Sequence, residues 1–215
     1  EGDFSPSFYK LNNTLSMKKY NLYFSLIGLI ICVNSLIAQN IKQDSGEQYR
    51  PQIHFTPERH WVNDPNGMVF HKGTYHLFFQ HSPTASIWSD ISWGHATSKD
   101  LVHWKREPIA IYPDSLGLIF SGSAVVDKNN SSGFGKNGVV PLVAMYTSHD
   151  MKKEKAGAID VENQSIAYSL DEGKTWIKYH GNPTLKNPGV RDFRDPKIIW
   201  HEETKKWIVA IAAQD

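Results

Sequence analysis

Two aspartates that each precede a proline are placed where a carboxylate could do chemistry. Asp64 lies in the run HWVNDPNGMVF, His60–Phe70, and Asp195 lies in the run DPKIIW. The proline after Asp64 predicts that Asp64 is extended, and Asn66-Gly67 predicts a turn that brings the backbone close to a ligand. A carboxylate held at a strand entrance in this way can serve as a nucleophile or as an acid or base. An Asx turn, in which Asp64 only caps its own loop, fits the same residues equally well.

The elements that would position these carboxylates are short apolar runs separated by Gly, Asn, Asp and Pro, and no long 3.6-residue period is present. Apolar runs flank His71–Thr74 and again His201–Thr204, so each Asp-Pro is predicted to open a hairpin. Further strands are predicted for SGSAVVD, VVPLVAMYTSH and QSIAYSL. The chain is therefore predicted to be all-β.

The two Asp-Pro hairpins form a weak internal repeat, because each has an apolar strand, a polar turn and an aromatic-rich return strand. Their aspartates are 131 positions apart, which is about two four-stranded blades of roughly 50 to 65 residues each. A β-propeller would aim both carboxylates at one axial funnel. The run SLDEGKTW, Ser169–Trp176, has the pattern of an Asp-box, a structural hairpin turn found in several propeller families. It supports the fold more than any activity.

The N-terminal region is predicted to lie outside the folded domain. Residues 1–16 have the character of an upstream segment, residues 17–38 of a secretory signal, and residues 39–50 of a flexible lead-in, which leaves residues 51–215 as the domain. A single-pass anchor is the alternative for the apolar run. The single cysteine, Cys32, lies in that signal, so no disulfide is expected in the mature chain. The net charge of +1 gives no indication of nucleic-acid binding.

The run WVNDPNG resembles the signature of glycoside hydrolase family 32, the invertase, inulinase and levanase group that acts on β-fructofuranosides. The resemblance continues in chain order through YHLFFQ, SWGHATSKDLVHW, FSGS and FRDPK. It implies a five-bladed β-propeller, of which about the first three blades are present. It also implies retaining hydrolysis of sucrose, inulin, levan or fructo-oligosaccharides, a reaction that needs no metal or cofactor. The predicted secretory signal indicates that the enzyme is exported.

The resemblance assigns roles to individual residues. Asp64 corresponds to the nucleophile and Asp195 to the transition-state stabiliser, with Arg194 beside it to hold sugar hydroxyls and to keep a nearby carboxylate ionised. Retention also requires a protonated carboxylic acid roughly 5 to 5.5 Å from the nucleophile. The remaining predicted substrate-binding residues are Trp61, Asn63, Gln80, Trp88, Trp93, Phe120 and Ser121.

The sequence departs from the family at the general acid, which is a Glu in a Glu-Cys pair downstream of Arg-Asp-Pro. No Glu-Cys pair occurs among the 215 residues, and Glu202 and Glu203 are expected to be surface charges in a turn. The chain on its own is therefore expected to be inactive.

Three other functions remain open from the residues. An inverting arabinanase or xylosidase uses the same kind of propeller with more widely spaced acids, and a sialidase would share the Asp-box. A secreted fructan-binding propeller would bind without turnover. The histidines, among them His54, His60, His71, His76, His81 and His95, lack the short spacing of a metal site, so packing roles are expected.

Overall fold

Ten strands and one short helix make up the part of the chain that the computed structural model describes, residues 47–51 and 53–214. All of these elements lie in the compact unit of residues 51–215. They are β1 (Trp61–His71), β2 (Thr74–Ser82), β3 (Ser92–Ser98), β4 (Trp104–Ile111), β5 (Leu118–Val126), β6 (Leu142–His149), α1 (Met151–Lys155), β7 (Glu162–Ser169), β8 (Ile177–Lys178), β9 (Arg191–His201) and β10 (Lys206–Gln214).

The strands form three antiparallel sheets in which neighbours in sequence are neighbours in space. Strands β1 to β4 form one four-stranded sheet, β5 to β8 form another, and β9 and β10 form a two-stranded sheet. The first strand of the second sheet, β5, contacts both β1 and β9. These are two propeller blades and the first hairpin of a third, with β1, β5 and β9 as the inner strands. The all-β prediction and the partial propeller are confirmed.

Turn chemistry explains the two hairpins that the sequence predicts. The β1–β2 turn consists of Lys72 and Gly73, both with positive φ, 46° and 73°. A two-residue loop with this geometry matches the natural twist of the flanking strands. The β9–β10 connection is longer, and Lys205 adopts a φ of 52° at its end. Both predicted hairpins are confirmed.

The main core lies between the first two blades. Phe78 of β2 and Trp93 of β3 are fully buried in one cluster with Ile119 of β5 and Tyr146 of β6. The indole of Trp93 meets the Tyr146 ring edge-on at 6.2 Å. Burying one such side chain contributes roughly 1.5 to 3 kcal/mol, so this contact between blades fixes β5 beside β1.

The predicted Asp-box forms as expected in the β7–β8 connection. Ser169 Oγ accepts a hydrogen bond from the Gly173 amide at 2.8 Å, and Asp171 Oδ1 accepts one from the Thr175 amide at 2.9 Å. Trp176 packs edge-on against Phe78 at 5.3 Å. The turn thus ties the outer edge of the second blade to the core between the blades.

The predictions for the N-terminal region fall mainly on residues outside the described part of the chain. The upstream segment at 1–16 and the signal at 17–38 lie there entirely, and the lead-in at 39–50 is described only for its last four residues. Within residues 47–51 and 53–214, no helix has the length and apolar character to cross a bilayer.

Candidate active site

Each inner strand carries a β-bulge at the residues on which the sequence analysis concentrates. Between the pairs Val62↔His81 and Pro65↔Phe79, β1 advances three residues while β2 advances two, so one extra residue falls at Asn63–Asp64. The same irregularity falls at Phe120–Ser121 in β5. A bulge leaves a residue unpaired and redirects its side chain. Three neighbouring strands therefore each turn a polar group out of the ladder.

The third bulge, in β9, contains the second aspartate. It lies between the pairs Ala210↔Lys197 and Ala212↔Arg194, where β9 has the extra residue. Asp195 adopts a φ of 59° there, a left-handed conformation that Asp tolerates better than most residues. The following proline suits a bulge because it has no amide to donate to the ladder.

Asp64 is exposed and makes its hydrogen bond to another blade. Ser121 Oγ of β5 donates to Asp64 Oδ2 at 2.8 Å. Within the described part of the chain, the Asp64 carboxylate makes no other hydrogen bond. Asp64 therefore does not form the alternative Asx turn, in which its side chain would cap its own loop. Ser121 is itself buried, so a rigid neighbour holds the carboxylate while one oxygen stays free.

Asp195 occupies a more strongly charged environment than Asp64. Its Oδ2 lies 3.9 Å from Nε of Arg194, and its side chain is half exposed. Partial burial raises the pKa of Asp195; Arg194 opposes this rise, and the negative charges of Asp64 and Glu162 add to it. Strand β5 contacts both β1 and β9, so the bulges of the three inner strands are neighbours, and the charge of Asp64 acts on Asp195 although the two residues come from different blades.

A buried charge cluster lies behind Arg194. Its Nη1 donates to Glu162 Oε1 at 3.1 Å and lies 3.0 Å from Asp192 Oδ1. Glu162 is also 3.5 Å from Nδ1 of His149, its cross-strand neighbour in the β6–β7 pair. Burial alone would raise the pKa of Glu162, but His149 and Arg194 hold it below its ordinary value. The carboxylate is thus kept as an anion.

A second network fixes the backbone of the β9 bulge. The Asp195 amide donates to Thr147 Oγ1 at 3.2 Å, and Thr147 in turn donates to Gln164 Oε1 at 2.7 Å. The nitrogen of the same Gln164 side chain, Nε2, donates to the Phe193 carbonyl at 2.6 Å. Thr147 and Gln164 are fully buried. The second blade therefore dictates the unusual conformation of Asp195.

Comparison with known proteins identifies the family. The family described as "Glycosyl hydrolases family 32 N-terminal domain" matches residues 54–215. The chain belongs to glycoside hydrolase family 32. The resemblance predicted from the WVNDPNG run and the motifs after it is confirmed.

Several family 32 relatives are similar to the chain over most of its length. The levanase of Bacillus subtilis is 52% identical over 88% of the chain and 28% of its own length, and an extracellular exo-inulinase of Aspergillus niger is 46% identical over 86% and 37%. A fructofuranosidase of Schwanniomyces occidentalis, solved with fructose, superposes with a TM-score of 0.70 at 44% identity, over 80% of the chain and 33% of that structure. The chain spans about a third of the length of these relatives.

The predicted wall of the family 32 site is only partly as expected. Trp88, 42% exposed, meets the Phe120 ring edge-on at 6.0 Å, so these two rings lie together beside the Ser121 bulge. Asn63 is exposed in the β1 bulge, and Trp61 is partly buried at the start of that strand. Trp88, Phe120, Ser121 and Asn63 are thus brought to the rim around Asp64.

Trp93 is a correction. The sequence predicts a substrate-binding role for this residue, but its side chain is 0% exposed in the core between the blades, and its Nε1 donates to the Phe120 carbonyl at 2.9 Å. Gln80 is 5% exposed and donates in the same way to the Ile119 carbonyl at 2.9 Å. Both side chains thus hold the backbone of β5 through hydrogen bonds to its carbonyl groups. A sugar-binding role for Gln80 stays a prediction.

Arg194 lies beside Asp195 as predicted, but its ion pairs within the described residues are with Glu162, Asp192 and Asp195. The buried cluster of Glu162 and His149 was not predicted from the sequence. Its one local signal is that these residues end β6 and begin β7, so a hairpin register would pair them. Among the described residues, no group of three or more His, Cys, Asp or Glu side chains is arranged to hold a metal ion.

Proposed function

We propose that the protein carrying this chain cleaves β-fructofuranosidic bonds with retention of configuration, using Asp64 as the nucleophile. One observation carries the proposal: the bulges of β1, β5 and β9 bring Asp64, Ser121 and Asp195 to one charged site. Asp64 suits attack on an anomeric carbon because Ser121 orients one oxygen while the side chain remains open to solvent. A retaining enzyme needs a carboxylate oriented in this way as its nucleophile.

The other residues would bind and stabilise the fructosyl unit. Asp195 and Arg194 would hold ring hydroxyls on the β9 side, where hydrogen bonds to charged groups are the strong ones. Trp88 and Phe120 would offer apolar faces to the sugar ring on the β5 side. Retention also requires a protonated acid roughly 5 to 5.5 Å from the nucleophile, and we assign that role to none of the described carboxylates.

The substrate class follows from the relatives. They are named levanase, exo-inulinase and invertase, and structures of the Schwanniomyces enzyme contain fructose and fructosylnystose. We accordingly propose sucrose, inulin, levan or fructo-oligosaccharides as substrates. We also propose that residues 17–38 direct export, in keeping with the extracellular designation of the Aspergillus relatives.

The test is fructose release by the purified protein from sucrose, inulin and levan, compared with arabinan and sialyl-lactose. We expect sugar to be released from sucrose or the fructans but not from arabinan or sialyl-lactose. We expect Asp64→Asn to abolish this release. Binding of fructan without release would favour the carbohydrate-binding alternative, and release of arabinose would favour the inverting hydrolases.

We further propose that residues 39–215 alone do not turn over substrate, because the reaction needs an acid that these residues do not supply. The same assay on that segment, with its folding followed by circular dichroism, provides the test. Fructose release by the segment, abolished by Asp64→Ala, would contradict this proposal.

A further inference from the structure

A buried carboxylate behind the candidate active site has no role in the proposed reaction. Glu162 is 2% exposed at the start of β7, and one of its oxygens, Oε2, is buried with no hydrogen-bond partner among the residues that the structure describes. Burying a charge is costly unless it is paired, and an incompletely satisfied buried carboxylate calls for an explanation. The contacts of Glu162 with Arg194 and His149 suggest an explanation.

Two contacts connect Glu162 with opposite sides of the candidate site. Its Oε1 accepts a hydrogen bond from Nη1 of Arg194 at 3.1 Å, and the Nε of Arg194 faces Asp195. The same Oε1 lies 3.5 Å from His149 Nδ1. The imidazole of His149 is stacked on the Phe120 ring, with centroids 4.2 Å apart and an interplanar angle of 8°. The Glu162 carboxylate is therefore connected through Arg194 to Asp195 and through His149 to Phe120.

We propose that Glu162 is a positioning residue that holds the Arg194 guanidinium beside Asp195 and, through His149, fixes the Phe120 ring. The inference rests on the proposed fructosidase function. The side chain of Glu162 is buried against Arg194 and His149, so its action is on these two side chains rather than on the sugar.

The difference in burial between the partners explains why Glu162 rather than Asp192 is the anchor. The Arg194 side chain is 39% exposed and Asp192 is 45% exposed, whereas the side chain of Glu162 is almost completely enclosed. An exposed ion pair holds a long side chain weakly because solvent screens it and rotamer entropy opposes it. A buried carboxylate in a single geometry selects one Arg194 rotamer.

The state of His149 agrees with this arrangement. Burial alone would lower the pKa of His149, but the carboxylates of Glu162 and Glu154 raise it above its ordinary value. The Nε2 side of the ring faces Glu154 of helix α1 at 3.2 Å, and that glutamate is half exposed. His149 is thus held between a buried and an exposed carboxylate, and only the buried one also reaches Arg194.

The experiment compares Glu162→Gln with the matched control Glu154→Gln in the full-length protein, with sucrose or inulin as substrate. Both variants remove a carboxylate from His149, but only the first removes one from Arg194. We expect kcat/KM to fall about tenfold in Glu162→Gln, as for loss of a hydrogen bond to a charged group, and to be unchanged in Glu154→Gln. Equal kcat/KM in the wild type and Glu162→Gln would overturn the proposal.

Two further readouts separate positioning from a merely structural role. In an Arg194→Lys background, the loss of kcat/KM caused by Glu162→Gln should be smaller than in the wild type, because one of the two side chains through which Glu162 acts is already altered. The acidic limb of the kcat/KM profile should also move to lower pH in Glu162→Gln, since the Glu162 charge helps to raise the pKa of Asp195. Additive losses with an unmoved profile would assign Glu162 a structural role only.

If Glu162→Gln fails to fold, a second substitution at the same position still tests the proposal. Glu162→Asp keeps the charge but shortens the reach to Arg194 by one methylene, and we expect a loss of kcat/KM of a few-fold with wild-type circular dichroism; full activity would overturn the proposal. Failure of the proposed function has a different signature. In that case the wild-type protein itself would release no fructose.

Discussion

The two Asp-Pro hairpins, β1–β2 and β9–β10, share a sequence pattern but differ in what surrounds their aspartates. Each aspartate lies in a bulge of an inner strand. Asp64 is held by a neutral hydroxyl from Ser121, whereas Asp195 lies among Arg194, Asp192 and Glu162. The return strands differ as well, because β2, which lies between β1 and β3 in its sheet, is largely buried, while β10 consists of exposed and partly buried residues.

The comparison shows that local sequence and tertiary packing determine different properties of the site. The Asp-Pro pattern with its bulge sets where each carboxylate leaves the ladder. The neighbouring blade then sets its electrostatic role, since Ser121, Thr147 and Glu162 all belong to the second blade. One repeated motif thereby supplies two carboxylates suited to different tasks.

The largest expected effect separates the two aspartates by activity. Asp64→Asn should lower kcat by about 10⁴-fold or more, as loss of a nucleophile does, while Asp195→Asn should lower it by roughly 10² to 10³-fold, as loss of one stabilising group does. Steady-state kinetics on sucrose or inulin provides the measurement, with circular dichroism as the control for folding. A greater loss in Asp195→Asn than in Asp64→Asn would reverse the roles.

The second prediction concerns the return strands. Phe78→Ala in β2 should lower the free energy of unfolding by roughly 3 to 5 kcal/mol, because the ring is fully buried between the blades. Ile208→Ala in β10 should cost less than about 1 kcal/mol, because that side chain is 44% exposed. Urea denaturation measures both. An equally large loss for Ile208 would show that the face of β10 is covered in the intact protein.

Much of the fold follows from local sequence signals. The hairpins around Lys72-Gly73 and around His201–Thr204 and the Asp-box all depend on neighbouring residues, and the sequence predicts each of them. Asp64 and Asp195 are likewise identified by local sequence, because each precedes a proline and an apolar run. Turn residues, proline and period-two alternation act within a few positions of each other.

The parts that the sequence did not predict depend on contacts between distant residues. A tryptophan in a motif can face a sugar or the core, and only the packing of β3 against the second blade buries Trp93. Likewise, Glu162 and Arg194 are 32 positions apart, and nothing in either local sequence indicates their hydrogen bond. The extra residue in each inner strand also appears only when partner strands are paired.

The smallest expected effect is on the pH dependence of stability. The fold raises the pKa of Asp195 above its ordinary value of 3.8, so the folded state favours the protonated carboxyl, and this contribution is lost as the pH rises through the raised value. Asp195→Asn should therefore be more stable than the wild type at neutral pH, by less than about 1 kcal/mol because the group is half exposed. Thermal melts should show the difference vanishing below about pH 3.8, and a difference that instead grew toward acid would contradict this sign.

The most direct test of the central claim is to trap the covalent intermediate. The intact protein is quenched in acid during turnover of a fructosyl substrate, digested, and the peptide containing residues 60–70 is examined by mass spectrometry. We expect that peptide to gain the mass of one fructosyl unit through an ester at Asp64, since a retaining reaction forms this bond. A fructosyl ester on Asp195, or an unmodified peptide together with product of inverted configuration, would contradict the account.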